Sequence, residues 1–239
     1  MENFLIAIFF SLGLFLEAVF GFGGTIFSGT ILGFFIDIKK FIFLAFFFAT
    51  FSSLTNFFLM RKFVDWKKFL KNIPIILFGV FLGAFFLKQL DSKIILRFFS
   101  AFVFFVSILK LKNKKKIYVK SVFKLFLLFL AGLISGSFGG GGVALVLALQ
   151  PDFKNKKNAF RATLASIFVA INLFRGLQYF LQQTFDFKQI ANFWWIFFLF
   201  LIPIFLGHKV HFRIPEKKFS FYLNIILVIG SIGLFWKSF

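Results

Sequence analysis

Long uncharged runs separated by short basic stretches set the pattern of this chain. Phe41–Met60, Leu125–Gln150, Gln189–Gly207 and Phe219–Trp236 carry no charged side chain. Each is close to the ~20 apolar residues that cross a bilayer. The pattern predicts ten helical elements, five per half. In the first half they are 3–20, 25–36, 41–60, 73–88 and 94–110; in the second, 122–138, 143–150, 159–181, 190–207 and 219–236. The second and seventh are too short to cross. At ~1.5 Å per residue they cover about 18 and about 12 Å, against ~30 Å of hydrocarbon.

Each short element follows a glycine cluster. Phe20-Gly21-Phe22-Gly23-Gly24 returns 118 positions later as Phe138-Gly139-Gly140-Gly141-Gly142. Four consecutive glycines cannot sustain a good helix, so each cluster reads as the tip of a broken-helix hairpin. Full crossing by both hairpin arms, giving eight tilted spans, is the alternative with the same loop sidedness. Asp65-Trp66-Lys67 is echoed by Asp186-Phe187-Lys188, and Gly83 and Lys93 by Gly207 and Lys217. A shared order of features argues for duplication. The expected architecture is an all-α integral membrane protein of about eight transmembrane segments. Residues 1–112 and 122–239 form two repeats, joined by a basic linker at 113–121, and each repeat holds one glycine-tipped hairpin and three spanning helices.

An odd number of crossings per half inverts the second repeat, and charge tests this. Loops 61–71, 110–120, 152–161 and 207–218 hold 5, 6, 4 and 4 Lys/Arg, 19 in all. The opposite side (37–40, 88–93, 182–190 and the C-terminus) holds 2, 2, 1 and 1, only 6. The basic side is cytoplasmic by the positive-inside rule, so both termini are expected outside. The net charge of +20 therefore reads as loop basicity rather than a nucleic-acid surface. The 60% hydrophobic content excludes an ordinary soluble domain. The 49 phenylalanines are read as lipid-tolerant apolar residues, Phe inserting about as readily as Leu or Ile. The apolar N-terminal segment lacks the basic start of a cleaved signal and is kept in the mature fold.

With no cysteine, thiolate chemistry and Cys-ligated metals are excluded. His208 and His211 have only Glu216 nearby, so no metal site and no cofactor are expected. Like Glu216, the carboxylates Asp37, Asp65, Asp91, Asp152 and Asp186 fall in loops or at span ends, a poor arrangement for an intramembrane enzyme. A phosphate-binding loop is excluded, because no strand precedes the glycines and no Gly-Lys-Ser/Thr follows.

What remains points to a small anion held in the membrane. Helices starting at Thr25 and Val143 would aim their N-termini at it, alongside backbone groups of Gly21, Gly23, Gly24, Gly139, Gly140, Gly141 and Gly142. Close packing is the other use of glycine, and Gly79 and Gly83 fit that better. Arg161, Thr163 and Arg175 on the eighth element could contact an oxyanion. For the arginines the alternatives are positive-inside bias at Arg161 and snorkelling at Arg175. Glu17 is a coupling-ion candidate or a protonated interhelical donor. Thr50, Ser52, Ser53 and Asn56 form a polar stripe that serves either a solute or helix packing.

Ala18-Val19-Phe20-Gly21-Phe22-Gly23-Gly24 and Gly132-Leu133-Ile134-Ser135-Gly136-Ser137-Phe138-Gly139-Gly140-Gly141-Gly142 resemble the glycine signatures of the sulfite exporter TauE/SafE family. Asp65-Trp66 and Phe160-Arg161-Ala162-Thr163 are similar to it as well. The resemblance spans essentially the whole chain. It implies an inner-membrane permease for sulfur-containing anions such as sulfite or organosulfonates, with lipid and a small anion as its partners. A non-transporting membrane scaffold for a neighbouring enzyme is the alternative, in which the glycines serve packing only.

Overall fold

The computed structural model describes residues 2–20, 23–112, 121–153, 156–185, 202–203, 205–207 and 216–239. Within them the secondary structure is helical, with no strand. The helices are α1 (Glu2–Phe20), α2 (Gly24–Leu32), α3 (Ile38–Met60), α4 (Trp66–Gln89), α5 (Ser92–Lys112), α6 (Ser121–Phe138), α7 (Gly142–Leu149), α8 (Lys157–Leu181) and α9 (Glu216–Lys237). Three stretches are long and apolar enough to cross a membrane: Ile38–Phe63, Trp66–Gln89 and Lys157–Leu181. Shorter apolar helices accompany them at Phe4–Val19, Val122–Phe138, Gly142–Phe153 and Leu227–Lys237. Of the element expected at 190–207, only 202–203 and 205–207 are described, and they are helical. The linker residues 113–120 lie outside the described residues.

Two boundaries differ from the hydropathy reading by four residues or more, each for a local reason. The fourth element starts at Trp66, not 73, because Asp65 caps it: its Oδ1 accepts the Lys68 N–H at 3.1 Å. The polar start Trp66-Lys67-Lys68 hides this turn from a hydropathy scan. The second element stops at Leu32, not 36, where the Phe34 and Phe35 N–H groups turn back to Ile31 and Leu32 carbonyls. Lys237 Nζ then donates to the freed Gly33 and Phe34 carbonyls at 2.9 and 3.0 Å. A cation at a helix C-terminus also suits the helix dipole.

The chain forms two compact units, and each draws helices from both halves of the sequence. The first comprises Met1–Leu44, Leu90–Lys116 and Trp194–Phe239. In it α2 folds back on α1, with Ser28 Oγ donating to the Phe9 carbonyl at 2.9 Å. Phe41 stacks on Phe10 and meets Phe99 of α5. Arg97 of α5 holds the Ser238 carbonyl after α9 through Nε and Nη2 at 3.3 and 3.0 Å.

The second unit comprises Ala45–Gln89 and Ile117–Phe193. Its core joins Ile76 and Val80 of α4, Leu128 and Ala131 of α6, Leu145 and Ala148 of α7, and Leu164, Ile167 and Ile171 of α8. Its spine is a close approach of α4 and α6. A β-carbon on Gly79 would lie 2.3 Å from the Phe129 carbonyl oxygen, and one on Gly83 would lie 2.1 Å from that of Leu133. On α6, Gly132 and Gly136 meet the Ile76 and Val80 carbonyls in the same way, at 2.0 and 2.4 Å. Two small-xxx-small stripes thus let the backbones touch. Gly79 and Gly83 serve packing, as their spacing suggested.

One contact recurs in both units. Gly83 sits over the Leu133 carbonyl and the Ser137 amide of α6. Gly207, the echo of Gly83, sits over the Phe15 carbonyl and the Val19 amide of α1. Positions 15 and 19 are 133 and 137 less 118, the offset of the glycine clusters. The hairpin of each sequence half is therefore clasped by a glycine from the other half.

Phenylalanine lies at many outward positions, among them Phe58, Phe78, Phe98, Phe105 and Phe180. Such a ring-rich exterior would be a liability in water and is suited to lipid.

Candidate functional site

The second glycine tip lies wholly within the second unit. Helix α6 ends at Phe138, and the Gly139 N–H donates to the Ser135 carbonyl at 3.0 Å. Gly139 has φ 76°, the left-handed stop that glycine adopts without a Cβ penalty. Gly141 is the N-cap of α7 and brings no side-chain bond, so the first amides of this helix are left to other partners. A β-carbon on Gly141 would fall 2.1 Å from the Ala131 carbonyl and 2.2 Å from Ser135 Oγ. The turn therefore needs glycine for close approach.

At the first tip, Gly21 and Phe22 lie outside the described residues. Gly23 has φ 94° and precedes α2, again without a side-chain cap. Gly24 packs on the Gly13 carbonyl and on Cβ of Glu17. Gly13 and Glu17 are 131 and 135 less 118, so the two hairpins share a packing scheme. Their turns differ, because the left-handed residue adjoins the short helix in the first tip and ends the long arm in the second. Thr25 is part-buried in the first turn of α2, and Glu17 is part-buried on α1.

Arg175 is the charged group placed at the second tip. It is 1% exposed, and its Nη1 donates to the same Ser135 carbonyl at 2.6 Å. Its guanidinium lies 5.4 Å from the Phe46 ring centre and 5.7 Å from that of Tyr179. The Tyr179 hydroxyl donates to the Gly136 carbonyl at 3.0 Å, tying α8 to α6 beside the arginine. Snorkelling is thereby excluded. Arg175 Nε and Nη2, Ser135 Oγ and Gln178 Oε1 are all buried without a hydrogen-bond partner. Unpartnered guanidinium donors at such depth are costly.

The other α8 candidates stand elsewhere. Arg161 and Thr163 precede Arg175 by 14 and 12 residues, about 21 and about 18 Å of helix, so neither shares a small solute with it. Thr163 is fully buried, and its Oγ1 accepts the Asp65 N–H at 3.0 Å, which fixes the start of α4. Arg161 is part-buried at the α7–α8 end of this unit. Asn172 Nδ2 donates to Ser53 Oγ at 3.2 Å, so part of the α3 stripe joins helices. Ser135 and Gln178 carry further unpartnered atoms and were not among the candidate residues expected from sequence. Gln178 stands three places after Arg175, on the same face of a helix, and that spacing was the available signal.

Asp65 gives a local test of this end of the unit. The Lys68 backbone N–H holds its carboxylate below the usual range, helped by Lys68 Nζ at 3.2 Å. The folded form thus favours ionised Asp65. The stabilisation is present above the ordinary carboxylate pKa and is lost as pH falls through the lowered value. Asp65→Ala is expected to cost about 1 kcal/mol by thermal unfolding at neutral pH, with the gap from wild type closing in acid.

Among the described residues no group of three His, Cys, Asp or Glu could hold a metal; His208 and His211 lie outside them. No curated relative and no solved structure matches the chain. Residues 5–234 match the family described as sulfite exporter TauE/SafE. With this match across an all-helical, lipid-suited fold, the chain belongs to the sulfite exporter TauE/SafE family, whose members are multi-pass membrane transporters of sulfite-type anions.

Proposed function

We propose that this protein is a permease of the cell inner membrane that moves sulfite or organosulfonates by alternating access, each glycine tip offering its own contacts to the solute. The observation that carries the reading is Arg175. It is a fully buried cation beside the second tip, and two of its nitrogens have no partner. An anion arriving there gains a charge-assisted bond that water alone supplies less well. The uncapped N-terminus at Gly142 adds donors of the kind that favour anions to this tip, and the one at Gly24 gives the first tip donors of its own. In this reading Arg161 serves the cytoplasmic approach to the site, Thr163 braces the start of α4, and Glu17 carries the coupling proton or cation.

Two inverted repeats, 1–112 and 122–239, account for both the loop charges and the recurring glycine contact. The termini then lie outside the cell, with the basic linker 113–121 inside. Fourth elements exchanged between halves, as Gly83 and Gly207 suggest, give each moving body parts of both repeats. The test is Gly23→Leu together with Gly140→Leu. Both are expected to insert normally and to abolish sulfite flux; normal flux in both variants would overturn the proposed site.

A further inference from the structure

We infer that Ser135 and Gln178 complete the Arg175 subsite and make it selective for a singly charged oxyanion that carries a proton, namely hydrogen sulfite rather than its dianion or sulfate. The inference deepens the transport reading and takes its choice of solute from it.

The polar atoms left over at the second tip define what fits. Arg175 Nε and Nη2 and the Ser135 hydroxyl are donors to an anion, and all are buried without partners. The Ser135 carbonyl holds the guanidinium in place and the Gly139 amide holds that carbonyl, so the arginine cannot swing away freely. Ser135 Oγ lies against Gly141, which puts the hydroxyl beside the N-terminus of α7, an end without a side-chain cap. One cation with several neutral donors balances one negative charge. A second charge would enter without a counter-ion, at a cost that low-dielectric surroundings enlarge.

Gln178 supplies the discrimination. Its Nε2 donates to the Phe81 carbonyl at 3.3 Å, which fixes the amide so that Oε1 is the unpartnered end. It stands three residues after Arg175, ~5–6 Å away along one helix face. A buried acceptor with no donor is satisfied by an anion that brings its own proton. A fully deprotonated oxyanion would instead oppose it, oxygen to oxygen. Sites with such unpaired groups reject analogues lacking the matching atom more strongly than apolar pockets do.

The experiment is calorimetric titration of the full chain in detergent micelles with sulfite at several pH values, and with sulfate and methanesulfonate. Affinity is expected to follow the hydrogen sulfite fraction as pH changes. It should exceed that for methanesulfonate, a monoanion without a proton, by about tenfold. Gln178→Met should erase that tenfold preference while retaining binding, and Ser135→Ala should weaken all monoanions about tenfold. Affinity that follows the dianion would overturn the inference, as would a preference unchanged in Gln178→Met. Binding with this pattern but without flux in liposomes would sink the transport reading and leave the subsite standing. Flux without the pattern would do the reverse.

Discussion

Arg175→Met is expected to abolish anion flux, by at least about a hundredfold, while leaving the protein as stable as before or more so. The two halves of that expectation have separate causes. Arg175 makes one hydrogen bond, to the Ser135 carbonyl, and that carbonyl retains the Gly139 amide when the arginine is gone. Two guanidinium nitrogens are buried without partners, and each such donor costs about 1–3 kcal/mol. Methionine of similar length fills the same space beside Phe46 and removes that cost. The lost contacts to the Phe46 and Tyr179 rings offset it by roughly 1 kcal/mol. Thermal unfolding in detergent, read beside flux, separates the roles. A melting temperature that falls steeply would make Arg175 a structural brace.

Gly132→Ala is expected to bring the largest loss of stability among single-methyl changes in the second unit. Its β-carbon would sit 2.0 Å from the Ile76 carbonyl oxygen, and backbone cannot move aside as a side chain can. Helices α4 and α6 would have to part along the whole stripe of Gly79, Gly83, Gly132 and Gly136. Overpacking of this kind costs about 1–3 kcal/mol. Gly23→Ala is the contrasting control. Its β-carbon would meet nothing within 4 Å, and only the φ of 94° resists it, at about 1–2 kcal/mol. Thermal unfolding of the two variants should show loosened packing for Gly132 and a milder, local strain for Gly23. Equal melting temperatures for Gly132→Ala and wild type would refute the close approach.

Hydropathy located most helices because a segment in lipid must satisfy its own backbone, which leaves a plain apolar signal. It failed where that signal is polar. The first turn of α4 carries Trp66, Lys67 and Lys68 and is set by a cap at Asp65, which no apolar window registers. The glycine clusters were legible as breaks, and the Gly83–Gly207 echo was legible as a recurrence. What that echo packs against was not, since sequence order gives no hint that a fourth element clasps the hairpin of the other half. The candidate site was legible by residue type alone. Arg175 stood out as an arginine, but which helix the polar side of α8, with Thr163, Asn172 and Arg175, packs against is not written in the sequence. Ser135 and Gln178 passed unnoticed because they gain meaning only from the arginine between them.

Labelled sulfite uptake into proteoliposomes containing the full chain tests the central claim most directly. Saturable uptake well above protein-free vesicles, lost in Arg175→Met at equal incorporation, is the expected result. Uptake no faster than in empty vesicles, with and without a pH gradient, would contradict it.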